Sequence, residues 1–230
     1  LISIIIPVLN EETQIETLLR YLEKNVNGDL IEEIIVVDGG SSDSTVETAK
    51  AYGIKVLEGA KGRAKQMNLG ASFAKGSIFY FLHVDSLPPL DFDKSIVSSI
   101  KRNSEAGCFR LKFDSDNKFL RLFSWFTRIN HRLCRGGDQS LFITKSLFDK
   151  CNGFNEDYII YEDNEFIGRL YKATKFKVLA HQVKTSARKY EKIGTLRLQY
   201  YFGMIHLQNS MGAGPAELYE YYQKKINTKI

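Results

Sequence analysis

The stretch Ile34-Ile35-Val36-Val37-Asp38-Gly39-Gly40-Ser41-Ser42-Asp43-Ser44-Thr45 decides the class of fold. A short run of branched apolar residues without polar alternation reads as a strand buried on both faces, as in a parallel sheet covered by helices. The run stops at a carboxylate and a Gly-Gly-Ser-Ser turn, and Ser44 with Glu47 matches the capping-box spacing that opens a helix. Towards the N-terminus the same grammar recurs. Ile2–Val8 is a second continuous apolar run, Asn10 stands where a cap belongs, and Ile15, Leu18, Leu19, Leu22 and Val26 follow helical spacing. Towards the C-terminus the pattern predicts a strand over Ile54–Leu57, a helix over Gly62–Lys75 and a strand over Ile78–Leu82. The inner stripe of that helix, Ala64, Met67, Ala71 and Ala74, is small enough to lie close on a sheet. The order βαβαβαβ is that of a doubly wound, mostly parallel α/β sheet.

After Pro88-Pro89 the pattern loosens. Helices are expected near 91–102, 118–131 and 162–172, and strands near 107–113, 141–144 and 176–179. A helix over 193–211, a turn over 212–215 and a last helix over 216–225 follow. With no repeat and no linker, the simplest division is one domain over 1–190, with halves 1–88 and 89–190, and a C-terminal helical extension over 191–230.

Composition narrows the function classes. The 230 residues are 43% hydrophobic and 26% charged, ordinary for a globular chain that buries a real core. A net charge of +5 is far from the basic footprint of a nucleic-acid binder. Residues 1–167 carry −4 and residues 168–230 carry +9, which fits a solvated basic face or a tail that meets anionic lipid or an anionic substrate. Cys108, Cys134 and Cys151 are odd in number and lack metal spacing, so a reducing, cytoplasmic setting is expected. No apolar run has the length of a membrane span. The apolar residues 1–9 lack a preceding basic region, so they do not read as a signal peptide, and a start at Leu1 rather than Met suggests that residues precede it. Leu196, Tyr200, Phe202, Met204 and Leu207 fit either core and dimer contacts or peripheral docking on the inner face of a membrane.

In open α/β sheets ligands bind beyond the carboxyl ends of the strands. The first strand exits into Asn10 and Glu11, the second into Asp38, the fourth into His83-Val84-Asp85-Ser86. Turns favour Asp, Ser and Gly in any case; carboxylates directly after two buried strands point further, to a ligand. No Walker loop is present, and no Gly-x-Gly-x-x-Gly follows the first strand. A carboxylate after the second strand suits a ribose or base N–H, and one after the fourth suits a hard divalent ion that bridges phosphates. Arg63, at a helix start, favours an anion. Together these groups suggest a nucleotide diphosphate with a metal. A second acidic cluster, Glu162-Asp163-Asn164-Glu165, opens a helix on which Asp163 shares the inward face of Phe166, Ile167 and Leu170. Glu162 and Glu165 fit first-turn acids favoured by the helix dipole, and Glu165 with Arg169 makes an i,i+4 pair. An inward carboxylate such as Asp163 needs a partner or a role.

Residues 3–12 and 35–45 resemble the opening of family 2 glycosyltransferases. Residues 62–71 followed by Leu82-His83-Val84-Asp85-Ser86 look like the subgroup associated with arsenosugar biosynthesis and radical-SAM gene clusters. Gly137-Asp138-Gln139, Asn152-Gly153-Phe154, Glu162-Asp163 and Ser186-Ala187-Arg188 continue the likeness over roughly 2–190. The resemblance implies a GT-A fold, a nucleotide-sugar donor, expected to be UDP-linked, a divalent Mn2+ or Mg2+, and inversion at the anomeric carbon. It implies that Pro7, Asn10 and Glu11 line the nucleotide pocket and that Asp38 contacts base or ribose. Arg63, Gln66 and Asn68 would contact nucleotide or diphosphate, with Ser186 and Arg188 holding the diphosphate or closing the site. Asp85 matches the last Asp of the family's Asp-x-Asp metal motif, and Asp163 its catalytic base. Asp138, Gln139 and Glu162 are the acceptor-side candidates. The half over 1–88 would bind the donor and the half over 89–190 the acceptor.

Two departures stand out. Gly39 replaces the second of two adjacent acids, and His83 replaces the first Asp of Asp-x-Asp, where it either ligates Mn2+ or only hydrogen-bonds nearby. A nucleotidyltransferase would carry a Gly-rich basic loop where Asn10-Glu11-Glu12 stands. A non-catalytic nucleotide-sugar sensor or partner subunit suits the altered metal motif, whereas the intact Glu162-Asp163 opposes it.

Overall fold

A computed structural model describes residues 1–226. In chain order the elements are β1 (Ile2–Val8), α1 (Glu12–Asn25), β2 (Ile31–Asp38), α2 (Thr45–Ala51), β3 (Lys55–Glu58), α3 (Arg63–Phe73), β4 (Ile78–Phe81), β5 (Ser86–Leu87) and α4 (Phe92–Lys101). There follow β6 (Ala106–Asp114), α5 (Lys118–Phe126), β7 (Leu141–Thr144), α6 (Lys145–Lys150), α7 (Glu162–Ala173), β8 (Lys177–Ser186), α8 (Arg188–Ile193), α9 (Thr195–Ser210) and α10 (Pro215–Lys225). The strands form one sheet in the order β3-β2-β1-β4-β7-β6-β8-β5. The pairs β1–β2, β2–β3, β1–β4 and β6–β8 are parallel, and β4–β7, β6–β7 and β5–β8 are antiparallel.

The period of two along β1 divides the core. Ile4 and Ile6 face α1, α2 and α4, whereas Ile5 joins Val37 and the apolar faces of α3, α6 and α7. The stripe read on α3 is buried, and Gly70 explains how close that helix comes: a Cβ there would stand 2.5 Å from Ile5 Cγ2. The C-terminal helices build a third core. Leu198 and Ile205 of α9 meet Leu218 and pack with Tyr158, Ile160 and Tyr161, the residues that lead into α7. The extension thus covers the start of the acidic helix; positions 227–230 of the expected extension lie outside the described residues.

Two expected caps are replaced. Asn10 does not cap α1; it takes a left-handed φ of 54° and its Oδ1 accepts from Ser42 N, lacing the β1 exit to the β2 exit. The Ser44–Glu47 box does not close. Instead Asp43 Oδ1 accepts from Thr45 N, and Asp43 Oδ2 from Glu12 N, so one carboxylate serves two helix starts. The helix expected over 193–211 is α9, which starts at Thr195 after Gly194 turns the chain at φ 97°; the short α8 ahead of it was not anticipated. The strand expected over 176–179 continues to Ser186, and α6 and β5 were not anticipated.

Register places the site. Val8 lies beside Asp38, and Ile5 beside Phe81, so the exits of β1, β2 and β4 share one edge. Antiparallel pairing sets Phe81 opposite Leu141, which brings the loop before β7 to the exit of β4. Ser86 pairs with Thr185, so the end of β8 returns to Asp85.

Candidate active site

A cavity of about 600 Å³ opens at this edge. Its polar end is lined by Arg63, His83, Asp85, Asp138, Asp163 and Arg188. His83, directly past β4, is the hub. Its Nδ1 lies 3.5 Å from Asp138 Oδ1 and its Nε2 3.5 Å from Asp163 Oδ2. Burial opposes its charge, but the two carboxylates outweigh burial and raise its pKa to about 10. The imidazolium in turn holds Asp138 and Asp163 below their ordinary carboxylate range despite the burial that would raise them. In this arrangement both nitrogens of the ring face carboxylates.

Asp163 is 8% exposed and reaches inward from the first turn of α7, as its helical spacing predicts. The turn ahead of β7 must come close to it. A Cβ on Gly137 would stand 1.9 Å from Asp163 Oδ2 and 2.6 Å from His83 Cε1, so only glycine fits. Tyr161, just before Glu162, takes a left-handed φ of 69°, and its hydroxyl meets His206 Nδ1 of α9 at 2.8 Å. Glu162 is fully buried. Arg63 Nε stands 2.6 Å from its Oε1, an ion pair without hydrogen-bond alignment, and neither carboxylate oxygen has a hydrogen-bond donor. Burial pushes Glu162 up to about 7 against the pull of Arg63. The Glu162 charge in turn raises the guanidinium of Arg63.

On the far side of the cavity Arg188 Nη2 meets Glu11 Oε1 at 2.5 Å and Asp85 Oδ2 at 3.9 Å. Ser186 Oγ accepts from Arg188 N and fixes the turn. Burial and then the nearby Asp138 raise Asp85. Among the described residues no group of three or more His, Cys, Asp or Glu is arranged to hold a metal. Mg2+ or Mn2+ bound through one or two carboxylates, with substrate phosphates and water completing the shell, does not require such a group. Asp85, a carboxylate destabilised by burial and by a second acid, fits that use.

The other expected residues are held by contacts within the chain. The Asp38 carboxylate accepts from Gly40 N and Ser41 N, both at 2.9 Å, and from Ser41 Oγ, closing its own turn. Gln66 is buried and its Nε2 donates to Val8 O and Val37 O, bracketing the ends of β1 and β2. Asn68 clamps the loop ahead of α7 through Phe154 N and O and Glu156 Oε1. Pro7 is buried within β1. Gln139 lines the cavity but is 3% exposed, and its Oε1 accepts from Arg135 Nη1 at 2.7 Å. Arg135 also donates to Thr127 O and Ile129 O and pins the loop ahead of β7 from inside. Sequence reading gave no role to Arg135, Gly137 or Tyr161. The Gly136-Gly137 pair before Asp138 was the available signal for a close approach.

A Rossmann-like sheet with acids gathered at its carboxyl edge, beside two arginines, is the architecture of GT-A nucleotide-sugar enzymes. The comparisons agree. The model of "Glycosyl transferase family 2" matches residues 3–162, and the chain belongs to that family. The glucosyl-3-phosphoglycerate synthase of Mycobacterium tuberculosis is 34% identical over 99 residues, covering 38% of this chain and 30% of that protein. A dolichol-phosphate mannosyltransferase of Pyrococcus furiosus is 31% identical over 110 residues, 45% of this chain and 31% of that protein. The match thus spans about a third of the length of these curated relatives. In fold, the mannosyltransferase PcManGT from Pyrobaculum calidifontis, solved with GDP-Man and Mn2+, superposes with a TM-score of 0.72 at 17% identity, over 96% of this chain and 69% of that one. The Mycobacterium tuberculosis glucosyl-3-phosphoglycerate synthase, solved with Mg2+ and UDP, gives 0.64 at 17% identity, over 93% and 80%. The finer resemblance to the arsenosugar and radical-SAM subgroup finds no support among these relatives.

Proposed function

We propose that this chain moves a sugar from a nucleotide-diphosphate donor, UDP-linked, to an acceptor hydroxyl, with inversion and with Asp163 as general base. The observation that carries the reading is Asp163 itself, a buried carboxylate held ionised and aimed into the cavity by His83. Residues 1–88 would hold the donor, and 89–190 the acceptor and the base. Arg63 and Arg188 face the cavity from opposite walls and suit the charge that builds on a departing diphosphate. Asp85, and with it Asp138, would hold the divalent ion, which when bound supplies Lewis-acid stabilisation of that leaving group. Asp163 takes the proton from the acceptor hydroxyl as that oxygen attacks the face opposite the diphosphate. A single in-line displacement inverts the anomeric centre. His83 acts as a positioning residue in the place where the family carries a carboxylate. Glu162 anchors Arg63 and is too enclosed to meet the acceptor directly. The three free cysteines support a reducing, cytoplasmic setting. Among the described residues no helix is long and apolar enough to cross a membrane.

The test is nucleotide release from a panel of UDP-, GDP-, dTDP- and CMP-sugars with Mn2+ or Mg2+, against an EDTA control. Metal-dependent release from one donor is the expected result. Binding without release, even with cell extract as acceptor source, would favour a sensor, and neither binding nor release would overturn the reading.

A further inference from the structure

The cavity has a second end that the transfer chemistry does not use. Phe123 and Phe126 of α5, Leu133, and Leu198, Phe202 and Ile205 of α9 line it. Phe126 and Gly203 both line the cavity and are both exposed, so besides its opening at the sheet edge the cavity has a mouth between α5 and α9. The outside of that mouth is apolar as well. Phe119, Leu122, Trp125, Phe126, Ile129 and Leu133 are large, exposed hydrophobic residues on α5 and the turn after it. Leu196, Tyr200, Leu207 and Met211 continue the surface along α9. Of the 14 exposed large hydrophobics among the described residues, these are ten. They are concentrated in one place, where scattered single residues would need no account. Asn117 Nδ2 donates to Thr195 Oγ1 and joins the starts of the two helices.

Charge identifies what covers this face. Residues 117–137 and 192–216 contain no Asp or Glu. Lys118, Arg121, Arg128 and Arg132 are exposed among the apolar side chains of the first segment. Aromatic and aliphatic residues on one face, bordered by Lys and Arg alone, form the pattern of a helix that lies in a lipid interface with its cations among anionic headgroups. A second copy of this chain would bring the same unpaired cations against themselves.

We infer that α5 and α9 form a docking surface for an anionic lipid bilayer. The mouth of the cavity then opens onto the bilayer. Resting on the transfer reading, the acceptor is an amphiphile that enters apolar chain outward and hydroxyl towards Asp163. Each basic residue held at an anionic surface strengthens partition about five-fold.

Trp125 is the only tryptophan, so intrinsic emission reports this face directly. Full-length protein is mixed with vesicles of phosphatidylcholine, or of phosphatidylcholine with phosphatidylglycerol. The expected result is a blue shift, protection from acrylamide and co-sedimentation with the anionic vesicles only, reversed by high salt. Arg121→Gln should weaken binding about five-fold. Phe119→Ser combined with Leu122→Ser should abolish it, and Leu90→Ser, exposed elsewhere, should leave it intact. Emission unchanged by anionic vesicles overturns the proposal. So does a shift that grows with protein concentration without lipid, which would assign the face to a second copy. Donor binding, read by thermal shift without vesicles, separates the two readings. Lipid binding without donor binding keeps the surface and removes the amphiphilic acceptor; donor binding without lipid binding keeps the transfer reading and removes both the surface and that acceptor.

Discussion

Asp163 and Gly137 set the tolerance of the site at the scale of single residues. Asp163→Asn keeps the shape and removes the proposed base, so transfer should fall by about 10²–10⁴-fold while nucleotide binding, followed by calorimetry, stays nearly unchanged. Loss of binding instead would take the base role from Asp163. Gly137→Ala acts by volume, not chemistry. Its methyl would displace Asp163 and His83, both within 2.6 Å of the new carbon. A shift of about 1 Å in a reacting group costs on the order of 100-fold in kcat, and overpacking lowers stability by about 1–3 kcal/mol. Both effects are expected together, in turnover and in denaturant midpoint. Asp163 was legible in the sequence, because helical spacing set it on the face of Phe166 and Ile167. The pairing of His83 with two carboxylates was not, because Asp138 lies 55 residues further along and only the antiparallel β4–β7 register brings it back.

Among the elements, α5 is the one whose start can be tested cleanly. Asn117 Oδ1 accepts from Phe119 N and Leu120 N, and its Nδ2 reaches Thr195 of α9. Asn117→Ala removes the cap and the tie, and should lower stability by about 1 kcal/mol in equilibrium unfolding. An unchanged midpoint would show that packing of Leu120 alone holds the helix. The first half of the fold reads well from sequence because its strands are buried on both faces and its helices carry complete apolar stripes. The second half reads poorly for a physical reason. β8 alternates short buried and exposed positions near a sheet edge, β5 has two residues, and α6 has six, so no periodicity accumulates in them. The capping motifs failed differently. Asp43 outcompetes Ser44 because its carboxylate can serve α1 and α2 at once.

For the whole molecule, Glu162 couples the site to stability. Its folded pKa of about 7 lies above the ordinary 4.5, so the folded state holds a proton that the unfolded state has released. That contribution is fully present below pH 4.5 and is lost as pH rises through about 7. Thermal unfolding across this window should therefore show a falling component that Glu162→Gln removes. A slope unchanged in the variant would assign the titration to another group.

A single sheet, β3 through β5, draws strands from both the half over 1–88 and the half over 89–190. A hinge between the two halves would have to shear the β1–β4 and β4–β7 hydrogen-bond ladders, and Asn68 further rivets α3 to the loop ahead of α7. Opening and closing by rocking of lobes is thereby denied to this scaffold. Access and release must be governed by the connections on its rim, and amide exchange should slow on donor binding in residues 131–140 and 155–161 while β1 and β4 remain protected throughout.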